Sequence, residues 1–432
     1  MKETLQTLQG AWKAPELRKK ILFTLFILLI YRLGNAVPVP YVDVEQLNEY
    51  FNTVLSDTVL GLYNAMSGSA FSRATVFALS ITPYINSSII MQLLCIGIPA
   101  LERLQKEGGE EGRKKIASIT RYVTVALALL MGFSYYIMLR NYNMLTQRGF
   151  LTGLVIVLTF TAGSAFIMWL GEQITEFGIG NGISIILFAS IISRIPSTVS
   201  SAITNVLGGG MSIFTVLLIL VLALALVVVI VFINEAERRI PIQYAKQMRG
   251  RKMYGGQSTF LPIKVNMSGV MPIIFAQSIA SLPATILTFV NTENSGKVMK
   301  FFLDITDTRG VVYAIVYFLL IIGFGYFYAA VQYNPIEIAN NLKKNGGFIP
   351  GFRAGRPTAE FIQKVIGKIV LFGSLYLGVV AILPIIISNI PGVPSSLAIG
   401  GTSVIIVVGV ALETMRALEA QMMMRNYKGF LE

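Results

Sequence analysis

Long charge-free runs limit this chain more than any other feature, because ~20 apolar residues are what one helical crossing of a bilayer takes. Such windows lie at residues 21–31 (continuing past Arg32 to residue 37), 74–101, 122–139, 149–171, 177–193, 195–234, 265–292, 310–336 and 369–412. The last is far longer than one span needs, and its Ile390-Pro391-Gly392-Val393-Pro394-Ser395-Ser396 stretch reads as a turn between two helices. The 195–234 window holds a Gly208-Gly209-Gly210 loop ahead of its helix. The expectation is an all-α integral membrane protein of ten transmembrane helices. Charged residues make up 13% of the 432, against roughly 25% in soluble domains, so a single water-soluble core is excluded.

What the spans lack narrows the chemistry. Histidine is absent, which removes the commonest metal ligand and general base. The lone Cys95 sits in an apolar run and forms no disulfide framework. No Asp, Glu, Lys or His lies near the middle of a span, where an ion-coupled transporter usually keeps one. No enzyme activity, metal or cofactor is expected. An inverted-repeat secondary transporter is the alternative function, and an intramembrane protease is a more distant one.

Basic residues orient the spans. With the N-terminus inside, the inner segments hold 27 Lys/Arg, whereas the outer loops hold 7: Arg73, Arg140, Arg148, Arg194, Lys297, Lys300 and Arg309. Both termini are therefore expected on the cytoplasmic face. Arg18, Lys19 and Lys20 before the first apolar run imitate a signal peptide, but Arg32 interrupts that run and further spans follow, so no cleavage is expected. Ten spans divide into two sets of five near residues 197–211, giving halves at 1–200 and 201–432. An odd number per half inverts the second relative to the first. Inverted repeats place the functional path between the halves.

Between the first two spans, residues 59–71 are mildly apolar but too short to cross, a length that marks a re-entrant or interfacial piece. Residues 69–94, SAFSRATVFALSITPYINSSIIMQLL, follow with a helix's composition and no charge after Arg73. Yet Thr82, Asn86, Ser87, Ser88 and Gln92 run along them. A half-helix leading into a polar-striped span suits a wet path, which a channel needs and an anchor does not.

Three other segments carry information. In GEQITEFGIGNGISIILF, Glu172 and Glu176 share one face at a helix end, and Gly178, Gly180, Asn181 and Gly182 then reverse the chain. No Lys-Ser/Thr follows these glycines, so a phosphate loop is a poor fit. The loops 235–264 and 335–368 are long and basic. The first presents Arg249, Arg251 and Lys252; the second presents Lys343 and Lys344, then Arg353 and Arg356 on a Gly/Pro-rich turn. Such residues are often only topology determinants, but loops of this length also suit an acidic or nucleic-acid-bearing partner docking from the cytosol.

FSRATVFALSITPYINSSIIMQLL and GEQITEFGIGNGISI resemble the two signature segments of the SecY family, the central subunits of protein-conducting channels. YAKQMRGRKMYGGQSTFLPIKVNMSGVMPIIFA and NNLKKNGGFIPGFRAGRPT resemble its cytoplasmic loops, so the likeness spans essentially the whole chain. It implies two inverted five-helix halves around a central pore closed by a short plug half-helix. The implied pore ring is Ile81, Ile85, Ile183, Leu187, Ile274 and Ile406, in spans 2, 5, 7 and 10. The pairs 81/85 and 183/187 are each spaced to share a helical face. The implied plug runs through Leu60, Gly61, Leu62, Tyr63, Asn64, Ala65, Met66, Ser67, Gly68, Ser69, Ala70, Phe71 and Ser72. Spans 2 and 7 would form a lateral gate bearing Asn86, Ser87, Gln92, Gln277 and Ser278, with Asn86 and Ser278 facing each other. Span 3 joins that gate with a wholly apolar middle, ALALLMGF.

The resemblance also implies partners: the SecE and SecG small membrane subunits, the SecA ATPase, the ribosome, signal-bearing polypeptides and the bilayer. Nothing in the chain binds nucleotide, so force must come from outside. The implied location is the bacterial plasma membrane.

Overall fold

Helices occupy the positions of all ten expected spans in the computed structural model, which describes residues 10, 12–55, 59–208, 212–244, 247–249, 252–254, 258–287, 307, 310–388 and 401–428. In chain order they begin with α1 (Pro15–Gly34), a short α2 (Val44–Tyr50) that runs into a π turn at Phe51–Leu55, and α3 (Val59–Met66). There follow α4 (Thr82–Gly97), α5 (Pro99–Lys106), α6 (Gly109–Asn141), α7 (Phe150–Phe177), α8 (Gly182–Ile192), α9 (Ile195–Leu207) and α10 (Ile213–Glu235). The remainder are α11 (Met271–Leu287), α12 (Val311–Gln332), α13 (Pro335–Lys344), α14 (Arg356–Ser388) and α15 (Gly401–Lys428).

Six stretches are long and apolar enough to cross a membrane: α6, α7, α8 with α9, α10, α12 with α13, and most of α14. The pair α4 and α5, bent by 101° at Pro99, makes a seventh. The other three positions are not counted as spans on the described residues alone. Charges crowd the start of α1, and the stretches at the end of α11 and before α15 lie outside the described residues. Almost none of α10 is buried within the chain, although its composition is the most apolar of the six. Such a helix, hydrophobic all round, requires lipid or a partner as its solvent.

Two expectations need correction. The second span does not begin at residue 74: residues 67–81 form a chain of turns, and α4 starts only at Thr82 with Pro83 in its first turn. Ala74 and Ser80 have positive φ, which a helix cannot accommodate. The supposed outer loop at 197–211 is largely α9, which Pro196 opens. Outside its helices this predominantly α fold carries a small sheet. The loop after α10 forms a hairpin of β1 (Glu237–Tyr244), with small strands β2 (Gln247–Arg249) and β3 (Lys252–Tyr254) beyond it, and β4 (Ser258–Lys264) returning. A two-residue β5 (Gly347–Phe348), from the loop after α13, adds to β1 and gives the order β4-β1-β5. Pro241 is tolerated in the central strand because β5 reaches only Gln243 and Tyr244, leaving Pro241 paired on one side alone. The dividing turn expected at 390–396 lies outside the described residues.

Packing concentrates on one large apolar cluster to which α1, α3, α4, α7, α8, α10, α11, α12, α14 and α15 all contribute. Residues 10–208 touch the rest of the chain mainly through α8 on α15, α4 on α11 and α3 on α11. The α8–α15 seam is the more extensive.

Candidate functional site: an apolar constriction with a seated half-helix

The turn before α8 is built by its sequence. Gly180 takes φ 68°, and Asn181 caps the helix by accepting from the backbone N–H of Ile183 (3.1 Å) and Ser184 (3.4 Å). Thr175 Oγ1 accepts from Gly182 N at 2.9 Å, and Thr24 Oγ1 accepts from Ile179 N at 3.3 Å, tying the turn to α7 and α1. Gly182 is obligatory because a Cβ there would lie 2.0 Å from the Gly171 carbonyl oxygen. This close crossing presents Ile183 and Leu187 to the centre of the molecule. A methyl placed on Gly171 would sit 3.3 Å from Ile183 Cγ1 and 3.6 Å from Ile81 Cδ1, so these two side chains flank the same backbone.

All six candidate ring residues fall in the one large cluster. Ile81, Ile85, Leu187, Ile274 and Ile406 are buried in it, and Ile183 packs against it half-buried. They converge from the turn before α4, from α4 itself, and from α8, α11 and α15.

The candidate plug is α3 followed by turns at 67–72. The half-helix touches both α8 and α11, and its Met66 belongs to the same cluster as the ring. Its return is fastened by polar groups. Asn64 Oδ1 accepts from Ser72 N (3.0 Å), and Ser67 Oγ accepts from Phe71 N (3.1 Å). From α6, the Tyr135 hydroxyl donates to Phe71 O at 2.6 Å; from α7, Ser164 Oγ donates to Ser80 O at 3.3 Å. Non-helical backbone at membrane depth persists only where protein satisfies it, and these serine, asparagine and tyrosine side chains supply the partners.

Gly68, at φ 68°, seats the plug on the end of α8: a Cβ there would be 2.9 Å from Ser193 Oγ and 3.0 Å from Ser190 O. Ser190 Oγ donates to Ile186 O, so Tyr31 must donate the 2.6 Å bond between its hydroxyl and Ser190 Oγ. The side chain of Leu62 lies outside the described residues.

The gate candidates behave differently from one another. Asn86 and Gln277 are buried on α4 and α11, which are in contact, and Asn86 Oδ1 and Gln277 Oε1 have no hydrogen-bond partner among the described residues. Gln92 and Ser278 are half-buried. Ser87 is fully buried and donates to Thr120 O of α6 at 2.7 Å, so its hydroxyl belongs to the α4–α6 contact. Sequence reasoning missed that role and also missed the Arg121–Glu172 ion pair (2.8 Å) joining α6 to α7. The i, i+4 pairing rule could not find a pair 51 residues apart.

The two basic loops share one core. Ile240, Ile242 and Ile263 of the sheet pack with Leu342, Ile349, Ile362 and Ile366 from the second loop and α14. Lys343 and Lys344 lie exposed in the last turn of α13, while Arg353 and Arg356 stand exposed on the turn before and at the start of α14. Arg356 makes only an exposed 3.4 Å pair with Glu360. Arg249 and Lys252 are cross-strand partners of the β2–β3 hairpin; their side chains, and Arg251 altogether, lie outside the described residues. On α5, Lys106 pairs with Glu102 at 2.7 Å.

Apolar side chains from both sets of helices meet in one buried cluster, with a short helix packed against it, and among the described residues no group of metal-ligating side chains lies there. The family model SecY matches residues 75–415, and the chain belongs to the SecY family. It is 45% identical over 433 residues to the protein translocase subunit SecY of Streptomyces scabiei, covering 98% of each chain. It is 41% identical to that of Aquifex aeolicus, covering 98% of this chain and 99% of the relative. Among solved structures it is similar to one described as a protein conducting channel, with TM-score 0.62, 16% identity, and 93% and 92% of the two chains covered. Sec61 in the canine ribosome-channel complex is similar at TM-score 0.60 and 15% identity, with 93% and 92% covered. Both share the fold. The family is one of multi-pass translocation channels, which sets the transporter alternative aside.

Proposed function

We propose that this chain forms the pore through which unfolded secretory polypeptides cross the bacterial plasma membrane, and that it releases transmembrane segments sideways into lipid. The convergence of six branched aliphatic side chains from separate elements into one cluster carries this reading. Such a ring offers no fixed hydrogen-bonding group to an ion, so when closed it blocks ions by dewetting. The same side chains change rotamer to fit around a passing polymer of any sequence. A charged lining selects; this one tolerates.

In this reading α3 and the turns at 67–72 are the plug beneath the ring. Residues 1–200 and 201–432 are the inverted halves, held together along α8–α15 and parting along α4–α11. The unpartnered amides of Asn86 and Gln277 weaken that second seam. Mid-helix leucines contribute roughly −0.3 to −0.6 kcal/mol each, so ten in a signal sequence supply about −3 to −6 kcal/mol toward opening it. That is enough to shift an equilibrium only a few kcal/mol from balance.

The net basic face is cytoplasmic by the positive-inside rule, with both termini there. The sheet module and the turn bearing Arg353 dock the SecA ATPase or a translating ribosome, which provides the force. SecE and SecG are the proposed membrane subunits, α10 being among the helices whose apolar surface the chain leaves open. Site-specific crosslinking from positions 81, 183 and 274 to a stalled secretory chain tests the proposal. Adducts from all three are expected, and adducts only from outward-facing controls such as Leu218 would refute it.

A further inference from the structure

A groove of about 770 Å³ opens between α6 and α7 at the end of the molecule opposite the basic sheet module. Its body is apolar: Phe133 on α6 faces Leu154, Val157 and Leu158 on α7. Phe133, Leu154 and Leu158 are among the exposed large hydrophobics, so this is a lipid-side surface rather than an internal path. Gly153 lets the Tyr136 ring approach α7 closely: a Cβ there would lie 2.8 Å from Tyr136 Cζ, and the ring would have to shift.

The mouth has a different chemistry. Arg140, ending α6, and Arg148, before α7, both line it and both are exposed. Arg148 donates through Nη2 to Asn143 Oδ1, which orients its guanidinium, and neither arginine has an ion-pair partner among the described residues. Phe150 stands 84% exposed beside them, as aromatic residues do at the membrane–water boundary. Two forked cations at the headgroup level above an apolar trough match an anionic amphiphile. Guanidinium pairs phosphate oxygens bidentately, and the trough takes hydrocarbon.

We propose that this groove is a binding site for an anionic phospholipid, its phosphate held between Arg140 and Arg148 and one acyl chain lying along Leu154, Val157 and Leu158. The size falls within the usual range of ligand sites, about 300–1,000 Å³. A soluble anion would leave the apolar trough empty, and a neutral lipid would leave the arginines unpaired. The site rests on α6 and α7 crossing a membrane and not on the pore assignment, so either reading can fail without the other.

The test is native mass spectrometry of the intact complex, titrated with phosphatidylglycerol or phosphatidylcholine vesicle lipid. The wild type is expected to retain phosphatidylglycerol preferentially. Arg140→Gln with Arg148→Gln should weaken that retention about tenfold, the effect of losing one or two charge-assisted contacts. Leu154→Trp, which fills the trough without touching the charge, should weaken it as well. Equal retention of both lipids by the wild type, or unchanged retention in both variants, would overturn the proposal. So would release of the lipid by millimolar inorganic phosphate, which would mark a free-anion site.

Discussion

Asn86→Leu probes the proposed gate through a defect already present in it. The Asn86 side chain is 9% exposed and its Oδ1 has no partner, an arrangement that costs ~1–3 kcal/mol for a buried acceptor. When the seam opens, that amide meets water and the cost disappears. Leucine has nearly the same bulk and no polar atom, so it removes the penalty from the closed state alone. Taking ~2 kcal/mol, the open fraction falls about 30-fold. Restoring it with a more hydrophobic signal takes about three to seven additional leucines, at roughly 0.3–0.6 kcal/mol each. Export of a reporter behind signals stepped two leucines at a time measures this as a displaced threshold. An unmoved threshold, or one moved toward weaker signals, would refute the assignment of Asn86 to a seam that has to part.

Arg353→Glu should abolish motor-driven export while the complex still assembles with unchanged thermal stability, since the side chain is exposed; wild-type translocation rates in vesicles would rule out its docking role. Tyr135→Phe removes the 2.6 Å bond to the Phe71 carbonyl, which keeps its 3.1 Å bond from Ala74 N, so a loss of ~0.5–1.5 kcal/mol should raise resting ion conductance modestly in planar bilayers. Conductance equal to wild type would show that this bond does not hold the plug return. Gly182→Ala forces a Cβ to within 2.0 Å of the Gly171 carbonyl, and the α7–α8 crossing should lose about 3 kcal/mol or more, read as a lowered Tm. A Tm within a degree of wild type would contradict the close crossing.

The sequence disclosed most about segments whose local chemistry and final geometry agree. The glycines and Asn181 of residues 178–182 require a reversal whatever surrounds them, whereas the ring roles proposed for Ile183 and Leu187 on α8 rest on the family resemblance, with their spacing in agreement. The two long basic loops were equally legible. Residues 67–81 were not. Their composition suits a helix, and only long-range donors, Tyr135 from α6 and Ser164 from α7, make turns the better solution. No local pattern encodes partners 64 and 84 residues away. The sheet was hidden for another reason. Arg238, Arg239 and Pro241 read as loop, yet Ile240 and Ile242 alternate with them onto one buried face. That period of two pointed to a strand beneath the charges.

The closure combines two kinds of contact that respond differently to water. Ring side chains attract one another only through exclusion of water, so admitting a polymer replaces one apolar neighbour with another and costs little. The proposed plug is held in part by directional bonds, among them Asn64 to Ser72 and Tyr135 to Phe71. Each such bond is worth a net ~0.5–1.5 kcal/mol when water is the competitor. Once a path beside the proposed plug hydrates, its bonds exchange for water bonds at that modest cost, whereas hydrating the proposed ring gains nothing. On the proposed reading the plug is the element an incoming chain displaces, and the ring the element that still seals around the chain afterwards. Substitutions in the two should separate accordingly: plug contacts govern how easily the channel opens, and ring residues govern what leaks past an occupied one.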